Sequence, residues 1–345
     1  MALQLGWDCG TAYDFFLSLL VLYDPEQFAL RGAWAAGVRS RLSAEAREFL
    51  QKVQVADLHW IHALPEPKDS ATVLEVMAEV PPAERLFALL LSDLPADATS
   101  LLRDVAGRGA WNQQDASTLK QVLPMAKEKR KEKELTMFLD WAANSEAFGD
   151  SYLAAMENYR EVFFEEEEAR IQPVVEQALE RAQSQAQQLD LTDLLEVLSQ
   201  GVRFTQPVDV EELILVPVFW TTPLIIEEKV TSGRHLFLWG ARPADMSLVP
   251  GEVVPALMYQ ALKAMADPTR LRILRYLAEE PMTPTDLAHR LRLRPPTVVH
   301  HLHALRLARL VYLTLGEGVE RRYALRYEAI LDNLETLKRF LTSDD

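Results

Sequence analysis

The sequence predicts an α+β fold that is mainly α, in three parts. These are a helical N-terminal domain over residues 1–205, a small antiparallel β meander with its linker over 206–250, and a C-terminal winged helix-turn-helix over 251–345. Three observations predict it. Apolar residues recur three and four apart through most of the first part, the spacing of a one-sided helix. Three β-branched and aromatic runs follow one another between Leu213 and Trp239, bounded by turn residues. From Leu257 onward, start signals and a glycine-flanked hairpin come in the order helix, helix-turn-helix, hairpin, helix, which is a DNA-reading arrangement.

In the first part, helices are expected over 11–23, 33–42, 44–54, 71–79 and 82–91, with prolines at 65, 67, 81, 82, 95 and 124 punctuating them. A longer helical stretch over 150–188 carries Pro173, which predicts a break or kink there. A short helix over 189–198 ends at Gly201. The meander strands are 213–220, 224–226 and 235–239, separated by Thr221-Thr222-Pro223 and Thr231-Ser232-Gly233, and 241–251 is the linker.

The last part is the most explicit. After an apolar helix from Leu257, Asp267 stands as an N-cap with Pro268 in the first turn, where a missing N–H costs nothing. Leu271, Ile273, Leu274 and Leu277 form the inward face of the next helix. Thr283, with Asp286 three residues on, is a capping box for the helix through Leu287, Ala288 and Leu291. A turn through Arg292, Leu293 and Arg294 leads into a helix over about 296–308. Two strands flank Gly316-Glu317-Gly318, and a final amphipathic helix carries Ile330, Leu331, Leu334, Leu337 and Leu341.

Composition narrows the function. The net charge is −15, yet it is unevenly spread: residues 252–345 hold 14 Lys+Arg against 12 Asp+Glu, and between Asp286 and Arg326 eight arginines face three acids. A local basic face is what phosphate contact needs. The single cysteine, Cys9, allows no intrachain disulfide. No signal peptide is evident, and the longest apolar run, 213–220, is far short of the ~20 residues of a membrane helix. A cytoplasmic protein without membrane association is expected. There is no G-x-S-x-G, P-loop, dinucleotide fingerprint or H-E-x-x-H, so no catalytic residues and no cofactor are assigned. The acidic run 165–168 and the mixed-charge run 127–134 read as solvated helix faces.

Leu262-Lys263-Ala264-Met265-Ala266-Asp267-Pro268-Thr269-Arg270-Leu271-Arg272-Ile273-Leu274 resembles the opening helices of the ArsR-type (arsenic-repressor-like) bacterial transcriptional regulators. Asp286-Leu287-Ala288 resembles that family's positioning helix, and Pro296-Thr297-Val298-Val299-His300-His301-Leu302-His303-Ala304-Leu305 its recognition helix. The resemblance covers about the last quarter of the chain. It implies a homodimer on a pseudo-palindromic double-stranded operator, acting as a repressor released by an effector. Serines usually occupy the positions of Arg294 and Val299, and a lysine or arginine often stands at His303, so hydrogen bonding at the start of this helix departs from the family's pattern.

Within that helix Val298, Leu302 and Leu305 stand at i, i+4 and i+7 and face the core. That turns Pro296, His300, His303 and Leu307 outward, with Thr297 and Val299 on the flanks. His300 and His303 can donate to phosphate or guanine, Val299 can touch a thymine methyl, and His301 reads as a helix-positioning hydrogen bond. Arg294, Arg306, Arg321 and Arg322 complete the DNA set; the wing pair is either a phosphate or minor-groove contact or an exposed hairpin of mixed charge with Glu317 and Glu320. Leu257, Met258, Leu331, Leu334 and Leu337 are the expected dimer surface.

Metal sensors of this family use a Cys-x-Cys in the positioning helix or Asp/His and His/Glu sets on the last helix. Here the first place holds Thr285-Asp286-Leu287 and the last helix has no histidine, so no metal is expected. An effector would then be organic. All seven tryptophans and 12 of 13 phenylalanines precede residue 252. That is either the composition of a large core or a ligand pocket around Phe219, Trp220, Phe237 and Trp239. Three readings of function remain: a DNA-binding regulator, a winged-helix protein-interaction scaffold, and an enzyme in the N-terminal region. The arginine cluster favours the first, and no motif supports the third.

Overall fold

The computed structural model describes residues 3–28, 30, 32–53, 58–92, 94–123, 129–204, 210–231, 233–244, 246–247, 254–315 and 320–342. In chain order the elements begin with strand β1 (Gln4–Trp7), helix α1 (Thr11–Tyr23), a 3-10 turn (Pro25–Phe28), α2 (Gly32–Arg41), α3 (Ala44–Lys52) and α4 (His59–His62). They continue with α5 (Ser70–Glu79), α6 (Pro82–Leu89), α7 (Ala96–Arg108), α8 (Gln113–Val122), α9 (Lys129–Ala143) and α10 (Ser145–Tyr159). A π turn (Arg160–Phe164) leads into α11 (Glu165–Ala186), then α12 (Leu191–Leu198), β2 (Val202–Phe204), β3 (Glu212–Val218), β4 (Ile226–Lys229) and β5 (Arg234–Gly240). The chain closes with α13 (Ala256–Met265), α14 (Pro268–Glu279), α15 (Pro284–Leu291), α16 (Pro295–Leu307), β6 (Val311–Leu315), β7 (Arg322–Leu325) and α17 (Tyr327–Thr342). Two compact units emerge: Thr11–Tyr23 with Ala36–Ala169, and Met1–Gly10 with Asp24–Ala35 and Arg170–Asp345.

The first unit is helical. Its α1 is apolar nearly all round and buried on nearly every side, as a central helix must be. The Phe15 ring stacks on Tyr159 at 5.6 Å and lies 4.9 Å from Phe164. Buried Ser18 and Tyr159 share a hydrogen bond of 2.7 Å, so the hydroxyls taken from water are paired. Helices α6 and α10 approach closely at Gly149, whose carbonyl accepts from the buried Arg85 guanidinium at 3.0 Å. The acidic run is only in part the solvated face the sequence suggested: Glu165 and Glu166 are exposed, but the next two residues turn inward. Glu167 is buried, and the Glu168 carboxylate accepts from Thr11 Oγ1 at 2.6 Å and the Ser70 backbone N–H at 2.8 Å. One carboxylate thus serves the N-terminal ends of α1 and α5, where negative charge is favoured. The interruption expected at Pro173 falls instead at the π turn 160–164, and Pro173 lies inside α11.

In the second unit a four-stranded sheet has the order β1-β3-β5-β4. The expected antiparallel meander is corrected here. β3 pairs with β5 in parallel, Glu212 opposite Arg234 through Val218 opposite Gly240, and β1 joins the far side of β3, also in parallel. Only β4 and β5 form an antiparallel pair. The cause is burial. β3 is buried along nearly its whole length and β5 over its last five residues, the continuous apolar pattern of a central strand covered on both faces. β4 alternates half-buried with exposed and takes the solvated edge.

The winged helix packs around Ile273, Leu274, Leu277, Leu287, Leu291, Val298, Leu302 and Leu305. Its start signals act as read: Asp267 accepts from Arg270 N at 2.9 Å, and Thr283 and Asp286 exchange both capping-box bonds. Its sheet, however, has three strands, because β2 pairs in parallel with β6 beside the β6–β7 hairpin. At the end of α12, Gln200 (φ 57°) and Gly201 (φ 112°) take the left-handed turn that aims the chain into β2. The Gly316-Glu317-Gly318 tip lies outside the described residues.

Candidate nucleic-acid interface

Helix α16 is oriented by its buried row. Val298, Leu302 and Leu305 are fully buried, which leaves Pro296, Thr297, Val299 and His300 exposed with Arg294 at the N-cap. Val299 is 48% exposed, an apolar side chain in water on the outward face of the helix. Arg294 makes no side-chain cap, and prolines hold the first two helical positions. The first free amide, Thr297 N–H, is spent on the Arg294 carbonyl at 3.0 Å. This helix start therefore has few amide donors to offer a phosphate, and the Arg294 guanidinium is the group that can replace them.

Three residues stand elsewhere than expected. Arg306 does not face outward: it is 5% exposed and donates to the carbonyls of Ser199 (2.7 Å), Gln200 (3.2 Å) and Pro223 (3.3 Å). It follows Leu302 by four residues, so helical spacing itself puts it on the buried row. Leu307 is buried too. His303 is half-buried, and its Nε2 lies 3.0 Å from the Gln27 carbonyl of the 3-10 turn. His301 sits at the buried edge, but its Nδ1 has no partner among the described residues; burial lowers its pKa against the pull of Asp267.

Burial thins the basic face. Of the eight arginines between 286 and 326, Arg306 is buried, and Arg309 is held to a pKa of about 9 by burial first and by Arg242, Arg326 and Arg306 next. Arg290 pairs with Glu279 and Glu280 and Arg326 with Glu328. Arg292, Arg294, Arg321 and Arg322 remain exposed, with exposed Glu320 beside the last two. Arg292, in the left-handed position at the end of α15 (φ 58°), was not singled out from sequence. Its place in the turn of the helix-turn-helix was the available signal.

The proposed dimer surface is similarly divided. Leu331 and Leu334 are 50% and 48% exposed and form one stripe on α17 with Tyr327 and Leu341. Leu257 and Leu337 are half-buried. Met258 is only 3% exposed, already covered within its own unit, and drops out of the surface. The four aromatics of the expected ligand pocket do not converge. Phe237 and Trp239 belong to a packed cluster with Leu194, Leu195, Leu213 and Leu215 that includes neither Phe219 nor Trp220. Trp220 stacks on Trp34 at 5.6 Å, and Phe219 lies under the Arg170 guanidinium at 4.9 Å. All four are almost fully buried, so they are core. Among the described residues no group of three His, Cys, Asp or Glu side chains could hold a metal ion, and no helix is long and apolar enough to cross a membrane.

Comparison with known proteins fits this geometry. Residues 267–312 match the family described as bacterial regulatory protein, arsR family. The transcriptional repressor SdpR of Bacillus subtilis (strain 168) is 30% identical over 88 residues, which are 26% of this chain and 97% of SdpR. The chain belongs to the ArsR family. A solved ArsR-like transcriptional regulator from Rhodococcus sp. RHA1 is 30% identical, covering 24% of this ArsR-family chain and 78% of its own, with a TM-score of 0.23. This ArsR-family chain is a transcriptional regulator with a winged helix-turn-helix, and the SdpR match leaves about three quarters of it without a counterpart.

Proposed function

We propose that the protein is a dimeric, DNA-binding repressor released by an organic effector. The buried row Val298, Leu302 and Leu305 supports this reading most, because it turns Pro296, Thr297, Val299 and His300 outward at the start of the helix. Val299, Thr297 and His300 read base edges in the major groove, Pro296 sets the helix entry, and Arg292, Arg294, Arg321 and Arg322 take phosphates. His303 joins them once it leaves the Gln27 carbonyl. The N-terminal helical unit serves sensing or assembly rather than catalysis.

The test is binding of the full chain to DNA upstream of its own gene over a range of salt. Arg294→Ala is expected to weaken binding to every sequence and to lower the salt slope by about one unit. An unchanged slope removes Arg294 from the footprint.

Dimerisation through α17 rests on the exposed stripe Tyr327, Leu331, Leu334 and Leu341, an apolar face that soluble monomers avoid. The two recognition helices would then lie about 34–36 Å apart, or a multiple of that, to fit successive turns of one DNA face. Replacing Leu331 and Leu334 together with glutamate changes fold stability little, because both are half exposed, yet is expected to yield monomers in sedimentation. A dimer that survives both changes places the interface elsewhere.

A further inference from the structure

A cavity of about 490 Å³ lies between the start of α13, helix α16 and the chain around the 3-10 turn, within the size range of small-molecule sites. Its charge is unusual. Arg242, Lys263 and Arg270 line it, and Glu26 is the one carboxylate among its described lining residues. Arg270 is occupied, donating to the carbonyls of Ala264 and Lys263 at the end of α13.

Arg242 is the informative residue. It is 6% exposed, its Nη1 donates to the Met246 carbonyl at 3.0 Å, and its Nε has no partner among the described residues. Its ring neighbour is Phe219, 6.0 Å away. Burial, then the charge of Arg170, lower its pKa to about 10. Arg309, which feels Arg242 as its largest charged neighbour, also leaves Nε unpartnered among the described residues. Burying a guanidinium with an unpaired N–H is costly, and Arg242 does so in the wall of this cavity, where an anion would supply the missing acceptor.

Leu30, Val254 and Leu307 supply apolar parts of the wall. We infer that the cavity binds a small organic acid, its carboxylate or phosphate pairing with Arg242 and its apolar body lying on Leu30, Val254 and Leu307. The inference rests on reading α16 as the recognition helix only for its consequence. His300 and His303 line the same cavity, and the 3-10 turn that holds His303 forms part of its wall. Occupancy would thus bear directly on whether the middle of that helix is covered or free.

Calorimetry and melting of the full chain without DNA test the site, using benzoate, octanoate and phenyl phosphate as probes and neutral benzamide as the control. Saturable heat and a raised melting temperature are expected with at least one acid and not with benzamide. Arg242→Met should weaken that acid at least tenfold. Ala304→Phe, which keeps every arginine and fills the cavity, should weaken it as well, so a failure of Arg242→Met to fold does not remove the test. No saturable heat from any acid up to about 10 mM, benzamide binding as tightly as benzoate, or binding indifferent to both changes would overturn the site. A bound acid that leaves operator affinity unmoved supports the site and removes its role in sensing, so the two ideas fail separately.

Discussion

Arg306→Ala is expected to lower the unfolding free energy by about 3–4 kcal/mol, among the largest effects for one exchange in this chain. The guanidinium is buried and donates to three backbone carbonyls, those of Ser199, Gln200 and Pro223. Alanine removes the donors and leaves the Ser199 and Pro223 carbonyls without them in a dry place, and each unmade bond to a buried group costs roughly 1–3 kcal/mol. Arg326 covers part of the loss, since its Nη1 also donates to Gln200 at 3.0 Å. The change should appear as a lower denaturant midpoint with an unchanged slope. In DNA binding it should leave the salt dependence of the folded protein as it was, unlike Arg294→Ala. A reduced salt slope with unaltered stability would return Arg306 to the DNA face.

The second large effect is expected at Gly149, where α10 passes α6. A Cβ placed there would lie 1.9 Å from the Pro82 carbonyl oxygen and 2.7 Å from its carbon. Both sides of that contact are backbone, so no side chain can swing away. The helices must separate, and Arg85, which bonds the Gly149 carbonyl and the chain ahead of α6, must move with them. Overpacking of this kind costs about 3 kcal/mol or more. Gly37→Ala and Gly107→Ala provide the contrast: both lie in helices with nothing within 4 Å of the added carbon. There the helix gains roughly 0.5–1 kcal/mol from the lost backbone freedom of glycine. Equal melting temperatures for Gly149→Ala and the parent would mean that the two helices have room to spare.

The parts of this fold legible in the sequence are those whose cause is local. Asp267 and Thr283 with Asp286 announce α14 and α15 because a cap is a contact within three or four residues. The buried row of α16 is equally plain, since 3.6-residue spacing is fixed by the helix itself. Strand partners are a different matter. Nothing near β3 states that its neighbour is β5 rather than β4; the hint lay in the contrast between a continuous apolar run and the alternation of Ile226-Glu227-Glu228-Lys229. Charge counting failed at Arg306 because a count carries no burial, although spacing from Leu302 could have corrected it. The aromatics near 219–239 misled for the same reason: residue type alone does not separate a core from a pocket, and only contacts divide Phe237 and Trp239 from Phe219 and Trp220.

The strand Val202–Phe204 sets a limit on how this regulator can be recombined. It is threaded beside β6, Val202 opposite Leu313 and Phe204 opposite Leu315, and Arg306 and Arg326 fasten the turn just before it. A gene fusion cut between α12 and α13 would carry off one strand of the wing sheet and leave β6 with a bare edge, the kind of surface that recruits foreign chains. The heritable cassette is accordingly longer than the DNA reader itself. The upstream region could be exchanged without damage only at a joint ahead of this strand and its turn, so that whatever replaces it would still have to arrive at the wing through the same three residues.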